Sequence, residues 1–457
     1  MSFLETEKRE IERLEETIKM AITAKKKRVP KDPVKFCREW LGFEPTEYQL
    51  KLIRLFQKKQ FVAAWWCRQS GKSHIISALL LWFALRNKGC YIAVVGPSWR
   101  QTKLIIRRIN SFLRKLPKGF YHKPLKTMVR LSNGSLIEAF PNNPETIRGP
   151  TLDLVYCDEM NFIPNDEEMY DAILFTLGTT NGKFVCTSTP WTTDSVFYKI
   201  CHNKEFDDFG RSHVNWEQAL EPKGPLKKSI LEKIRKQFEG DPWRWRREME
   251  AEWAEDENVW LSQALITSCI DHTLEYYDFE EPAKGEFYAG LDLGKYRDYS
   301  VLAVVKIEDS SIKLIHVHQF PLRTPYASVI GYVKTLCDRW SSINKVYVDM
   351  SGVGDYIVED MVNAGITETE GVKFTQPTKE KMATFLKQCM VQKRLKIPYD
   401  SDLIAELNIE RFELTKDGKI KFNHPENTHD DRFWALALAV AASRHEAEGK
   451  PDSFIFF

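Results

Sequence analysis

Trp66-Cys67-Arg68-Gln69-Ser70-Gly71-Lys72-Ser73 follows the apolar run Phe61-Val62-Ala63-Ala64-Trp65 and precedes Ile75-Ile76-Ser77-Ala78-Leu79-Leu80-Leu81. A strand, a tight turn ending Gly-Lys-Ser and then a helix is the layout of a phosphate-binding P-loop. The loop Arg68, Gln69, Ser70 and Gly71 would cradle the phosphates of ATP with backbone N–H groups and the helix N-terminus. Lys72 would reach the β and γ oxygens, and the Ser73 hydroxyl would ligate Mg²⁺. The strict motif has Gly where this chain has Trp66, so the stretch taken alone also fits a surface turn.

Upstream, Phe43-Glu44-Pro45-Thr46-Glu47-Tyr48-Gln49 lies where many nucleic-acid-dependent ATPases read the adenine edge with a Gln amide and pack an aromatic ring on the base. Gln49 and Tyr48 are therefore candidates, although a Gln at a helix start is otherwise a capping residue. Downstream, Cys90 to Gly96 reads as a buried parallel strand from its continuous apolar character. Arg100 to Leu116 reads as a helix with Arg100, Lys103, Arg107 and Arg114 on one face and Leu104, Ile105, Ile109, Phe112 and Leu116 away from it. That basic stripe either tracks phosphates or is a solvated face.

A second chemical signal is the apolar strand ending Cys157-Asp158-Glu159. Behind a P-loop, the first carboxylate holds Mg²⁺ and the second polarises the attacking water, which assigns Asp158 and Glu159 in that order. Arg148 stands just before this strand, where a guanidinium would reach a γ-phosphate, including that of a neighbouring subunit. A further strand, Lys183 to Cys186, ends in Thr187-Ser188-Thr189-Pro190. Small hydroxyl residues there suit hydrogen bonding to the carboxylates and sensing of the γ-phosphate.

From Trp191 to about Trp260 the pattern loosens into Pro, Gly and charged residues, which predicts a small helical lid and linker. Its Trp243, Trp245, Trp253 and Trp260 are read as interface packing rather than as stacking platforms for bases. A new pattern opens at Phe287-Tyr288-Ala289-Gly290-Leu291-Asp292, a strand with one carboxylate among apolar neighbours. Burying that charge is costly unless it is paired or binds a metal. Asp298 follows in the loop, Lys345 to Asp349 is another strand ending in Asp, and His429-Asp430-Asp431 opens a helix whose dipole tolerates anions. Asp292, Asp349 and Asp430 or Asp431 on successive element ends is the order of an RNase H-like nuclease, whose carboxylates hold two metal ions.

Composition bounds these readings. A chain of 457 residues is too long for a single core and predicts two domains. The longest apolar run, Ile75 to Leu85, is far short of the ~20 residues of a membrane span. Met1 to Met20 is Glu-rich without a signal-peptide core, and nine scattered cysteines without Cys-x-x-Cys spacing point to a reducing compartment. A net charge of +2 hides an asymmetry: residues 21–130 hold 25 Lys/Arg against 4 Asp/Glu. A half that basic expects a polyanion. Phe3 to Thr23, running into Lys25-Lys26-Lys27-Arg28, reads as a charged amphipathic helix, either an arm for a partner or DNA or a solvated terminal helix.

With Arg68-Gln69-Ser70-Gly71-Lys72-Ser73, Asp158-Glu159, Thr187-Ser188-Thr189-Pro190 and the Asp292, Asp349, Asp430-Asp431 set in view, the chain resembles the large terminase subunit, the DNA-packaging motor of tailed bacteriophages and herpesviruses. The resemblance covers roughly residues 40–445, and the family often lacks the first Gly of the P-loop. It implies an α/β architecture: a RecA-like P-loop ATPase with a small helical lid, followed by an RNase H-like α/β nuclease. The expected division is an arm over 1–30, an ATPase core over 31–195, lid and linker over 196–260 and the nuclease over 261–457. It implies an ATPase that drives double-stranded DNA into a procapsid as a homo-oligomeric ring on the portal protein, with Mg²⁺ or Mn²⁺ at a nuclease that cuts concatemers. A small terminase subunit would select the DNA. The protein would work in the host cytoplasm, transiently on the procapsid, and be absent from the mature virion. Many relatives carry a further acidic residue three positions after the His-Asp-Asp motif, where this chain has Trp434, so the third metal ligand stays open between Asp430 and Asp431. Two other classes share parts of the pattern, a superfamily 2 helicase or translocase and a non-enzymatic assembly protein with a degenerate P-loop.

Overall fold

The computed structural model describes residues 28–444 apart from 118, 240, 257, 295, 341–342, 353, 415–419 and 427. The helix expected over Phe3–Thr23 lies outside the described residues. The chain divides into two compact units, one running to Leu231 and taking in Arg246–Trp253, the other made of Glu232–Trp245 and Ala254 onward. The stretch expected to be a separate lid and linker is thus shared between the two. No helix among the described residues is long and apolar enough to cross a membrane.

In the first unit, seven strands among the described residues form one sheet: β1 (Phe61–Trp66), β2 (Tyr91–Val95), β3 (Met128–Arg130), β4 (Leu136–Ala139), β5 (Leu154–Asp158), β6 (Lys183–Ser188) and β7 (Gly210–Val214), in the order β3-β4-β2-β5-β6-β1-β7. Every pairing is parallel except β3 with β4. Strands covered on both faces need apolar side chains at every position, and β5 is buried along its whole length. Parallel register then aligns the strand ends: Asp158 pairs with Thr187, and Trp65 with Ser188. The P-loop, the Asp-Glu pair and the hydroxyl run therefore share one edge of the sheet.

β7 places a strand within the stretch expected to be a helical lid and linker, and it extends the first unit's sheet beside β1. Gly-Arg-Ser-His-Val holds one strong strand former, and an edge strand does not need an apolar run, so the segment carries no strand signal of its own. The helix Trp99–Leu113, capped by Ser98, buries Thr102, Ile105, Ile106, Ile109, Phe112 and Leu113. Leu104 departs from the expected apolar side: it is 41% exposed, on the same face as Arg100 and Arg107. Trp253 and Trp260 are packed residues of their own units, donating Nε1–H to Asn161 Oδ1 at 2.9 Å and to the Ala383 carbonyl at 3.1 Å.

In the second unit, β8 (Glu286–Asp292), β9 (Val301–Glu308), β10 (Ser311–Gln319), β11 (Ile343–Asp349), β12 (Thr369–Val372) and β13 (Leu395–Lys396) form a sheet in the order β12-β11-β8-β9-β10-β13. β8, β9 and β10 are an antiparallel meander, while β11 joins β8 in parallel. Side chains alternate along a strand. Phe287, Ala289 and Leu291 enter a core with Val329, Val333 and Leu336 of the helix Tyr326–Arg339 and with Trp340, which caps it. The opposite face of β8 meets the helix Asp431–Ala442, a nearly continuous buried run from Phe433 to Val440. Gly290 permits that contact: a Cβ there would lie 2.6 Å from Leu438 Cβ and nearer still to Ala435 O and Ala439 N. Gly290 and Asp292 occupy the same face two residues apart, so the close approach also brings the first turn of the helix to Asp292.

Candidate active sites

Trp66, the departure from the strict P-loop, is the last residue of β1 and not part of the turn. It is fully buried, its Nε1–H donates to Ser212 Oγ of β7 at 3.0 Å, and its ring meets Tyr48 edge-on at 5.1 Å. The turn proper uses left-handed backbone at Gln69 and Gly71. It is pinned by Ser70 Oγ donating to the Cys67 carbonyl at 2.7 Å and by Tyr48 OH donating to the Ser70 carbonyl at 2.8 Å. Arg68 is held toward Glu248, with N donating to its carbonyl at 2.8 Å and Nε 3.2 Å from its carboxylate. Gln49 does the capping alternative: Oε1 accepts from Thr46 N at 3.0 Å, while Nε2 sits 2.9 Å from where a Gly71 Cβ would be. Ser73 follows Lys72 in the first turn of the helix Lys72–Arg86.

Lys72 is buried and its Nζ donates to Glu159 Oε1 at 3.0 Å. Glu159 Oε2 accepts from Ser188 Oγ at 3.1 Å and from Thr189 N and Oγ1 at 3.0 and 3.3 Å. Burial acts to raise the Glu159 carboxyl, but Lys72, the Thr189 N–H and Arg68 outweigh it and hold the group below its ordinary value. Its backbone is left-handed, φ 48°, an uncommon conformation for a non-glycine residue that aims the carboxylate off the strand end. Asp158 is fully buried; Tyr156 OH and Thr187 Oγ1 donate to Oδ1 at 2.6 and 3.2 Å, and Gln101 Nε2 donates to Oδ2 at 3.2 Å. Burial and then the charge of Glu159 raise its pKa, with Lys72 offsetting part. Arg148, expected to reach toward a γ-phosphate, is instead ion-paired with Glu145 on the short exposed helix Pro144–Arg148.

In the second unit, Asp292 and Asp349 stand one residue past the last paired register, Leu291 with Val348, on neighbouring parallel strands. Burial, followed by the charges of Asp431, Asp349 and Asp430, pushes the Asp292 carboxyl well above its ordinary range. Asp349 Oδ1 accepts from Ser351 N and Oγ at 2.9 and 2.6 Å, and burial still raises its pKa. Asp431 is buried, accepts from Tyr299 N at 3.2 Å and is pushed up to about 8, chiefly by burial. Asp430 Oδ2 is occupied by Trp434 Nε1–H at 2.7 Å, and its Oδ1 lies 3.6 Å from His424 Nε2. Asp298 is exposed, near enough for its charge to act on Asp431 and His429. No three His, Cys, Asp or Glu side chains among the described residues stand close enough to share one ion. The donor set itself suits a hard divalent cation: oxygen ligands only, with mutual repulsion that an ion drawing them together would relieve.

Four residues of these sites were not foreseen. Tyr156 had a signal, lying two positions before Asp158 and so on the same face of β5. Gln101, in the first turn after Ser98, and Glu410, whose carboxyl is raised well above its ordinary value by burial and then by Asp430, are brought in by tertiary packing. So is Lys379, whose charge lowers the pKa of Asp292, Asp349 and Glu410.

Comparison with known proteins gives two family matches: the model for the N-terminal part of the T4likevirus-type terminase large subunit over residues 66–268, and the model for the terminase RNaseH-like domain over residues 289–443. The large terminase subunits of Thermus phage G20c and Thermus virus P23-45 are each 25% identical over 468 residues, covering 92% of this chain and 90% of the relative. Among solved structures, the large terminase of bacteriophage HK97 aligns with 90% of this chain and 99% of its own at 15% identity and a TM-score of 0.43. The magnesium-bound large terminase nuclease of phage G20c aligns with 41% of this chain and 98% of its own at 23% identity and a TM-score of 0.36.

Proposed function

The chain belongs to the large terminase subunit family, and on that premise we propose that it is a viral DNA-packaging motor in which ATP hydrolysis drives double-stranded DNA into a procapsid and a metal-dependent endonuclease cuts the concatemer. The observation that carries the reading is the coexistence in one chain of two sites. One is the row Lys72, Asp158, Glu159 and Thr187 at a parallel sheet edge; the other is the carboxylate group Asp292, Asp349 and Asp431 at the end of a mixed sheet.

At the first site we assign Lys72 and the loop Arg68–Gly71 to the phosphates, Ser73 and Asp158 to Mg²⁺, and Glu159 to orienting and polarising the attacking water. Thr187, Ser188 and Thr189 tie both carboxylates to the end of β6 and so form the coupling element. Tyr48 and Gln49 brace the loop on the side where an adenine would lie. At the second site, Asp292, Asp349 and Asp431 would hold divalent ions, with Asp430 and Asp298 flanking. Asp431 is favoured over Asp430 as third ligand because Trp434 already occupies an Asp430 oxygen. Bound ions supply an activated water and charge stabilisation of the leaving oxygen. The basic face Arg100, Lys103, Arg107 and Arg114 suits a phosphate backbone. A homo-oligomeric ring on the portal, a small terminase subunit that selects DNA, and action in the host cytoplasm with absence from the mature virion complete the proposal.

A superfamily 2 translocase would need a second RecA-like parallel sheet, whereas β8, β9 and β10 run antiparallel. The experiment is a crossover on the full-length chain. Lys72→Ala or Glu159→Ala lowers ATP hydrolysis ~10³-fold or more and leaves Mn²⁺-dependent plasmid cleavage intact; Asp292→Asn or Asp349→Asn does the reverse. Near-normal ATP turnover in Lys72→Ala, or equal cutting by wild type and both Asp variants, would sink the corresponding half of the assignment.

A further inference from the structure

Lys379 lies in the first turn of the helix Gln376–Val391, which Thr375 caps. A cation there opposes the helix dipole, so the fold must supply a reason for it. Its Nζ stands 4.4 Å from the centre of the Trp434 ring and 5.2 Å from that of Phe374. Both residues are tied to the carboxylate site. Trp434 Nε1–H donates to Asp430 at 2.7 Å. On the other side, Phe374 N donates to Ser351 Oγ at 2.6 Å, and that hydroxyl donates to Asp349 at 2.6 Å. The ammonium is thus seated on the rings of two residues, one linked to Asp430 through its indole N–H and the other to Asp349 through its backbone N–H and Ser351.

We propose that Lys379 contacts a non-bridging phosphate oxygen of the DNA strand at the nuclease site, held by the rings of Trp434 and Phe374 as a fixed positive charge beside the carboxylates. The inference rests on the nuclease reading above. A cluster of four carboxylates repels a phosphodiester, and a cation committed to a carboxylate in an ion pair would do little to reverse that. Lys379 has no ion-pair partner among the described residues. Its charge nevertheless acts on Asp292, Asp349 and Glu410. Rings hold an ammonium in place while leaving N–H groups to donate to an incoming oxygen, and an ammonium–phosphate contact is a charge-assisted hydrogen bond.

The test uses the full-length chain with Lys379→Met, which keeps the stem and removes the charge, and Lys379→Arg, which keeps the charge. Titration calorimetry with Mn²⁺ alone and plasmid cleavage at saturating Mn²⁺ are read together. Lys379→Met binds Mn²⁺ more tightly than wild type, because a like charge beside the ligands is gone, yet cuts about tenfold or more slowly, the scale of one lost hydrogen bond to a charged group. Lys379→Arg returns both readings toward wild type. Cutting by Lys379→Met at the wild-type rate overturns the proposal, as does a joint loss of Mn²⁺ affinity and cutting, which marks a structural role. Absence of Mn²⁺-dependent cutting by the wild type overturns the nuclease reading itself.

Discussion

Replacing Gly290 by Ala perturbs the contact that brings the helix Asp431–Ala442 onto β8, without touching a carboxylate. The added methyl would lie 2.6 Å from Leu438 Cβ and nearer still to Ala435 O and Ala439 N, against an ordinary contact of 3.4 Å or more. Two of those three atoms are backbone, so no rotamer change relieves the clash and the helix itself must move by about 1 Å. Overpacking of this kind costs about 1–3 kcal/mol, and backbone obstruction argues for the upper end. At about 2–4 °C per kcal/mol for a unit of this size, the unfolding temperature of the second unit falls by roughly 6–12 °C. Asp431 rides on the displaced helix one turn before Ala435, and a misplacement of about 1 Å in a catalytic constellation costs on the order of 100-fold in rate. The expected result is loss of Mn²⁺-dependent plasmid cleavage with ATP hydrolysis unchanged, read beside a thermal unfolding scan. Wild-type cutting and an unchanged unfolding temperature would refute the claim that this approach sets the nuclease geometry.

Arg148→Ala lowers ATP turnover of assembled rings by ~10³-fold if the residue acts as an arginine finger across the ring, and mixing it with Glu159→Ala subunits restores hydrolysis at mixed interfaces; mixed rings that stay inactive exclude action in trans. His316 is buried, its Nε2 3.0 Å from Tyr332 OH, and burial first, with His318 adding, lowers its pKa from 6.5 to about 4 against a hydrogen bond to Tyr277. The unfolded chain therefore takes up the proton first: stability present above pH 6.5 is lost as pH falls toward about 4, by about 3 kcal/mol in all. Unfolding temperatures measured across that window should slope less in His316→Gln, and an equal slope would show that other groups govern acid lability.

The placement of the proposed ATPase row was legible because its pattern is local in sequence: a strand end, a turn and a helix start place Lys72 and Ser73, and strand ends place Asp158, Glu159 and Thr187. Asp292 and Asp349 were legible for the same reason, as carboxylates closing apolar strands. What escaped depends on partners distant in the chain. β7 is an edge strand with little β propensity, recognisable only from its pairing with β1. Trp66 looked like a defect in a loop because the end of β1 could not be fixed to one residue, and its function as a strand-end wedge needs Tyr48 and Ser212. Lys379 carries no pattern of its own, since its meaning comes from Trp434, 55 positions on in the numbering. The pairing of Arg148 with Glu145 was not foreseen, because a Glu three residues earlier counts only once a helical turn joins them.

The contact between Lys72 and Glu159 turns nucleotide entry into an exchange of partners. If Lys72 serves the β and γ oxygens, it must first release Glu159 Oε1, while Oε2 stays tethered to Ser188 and Thr189. The affinity for ATP is then a net quantity, the gain at the phosphates less the loss of a buried ion pair. ADP offers that lysine fewer oxygens, so departure of the cleaved phosphate lets the pair re-form and helps expel what remains. Until nucleotide arrives, the carboxylate proposed to polarise water and the lysine proposed to bind phosphate neutralise each other.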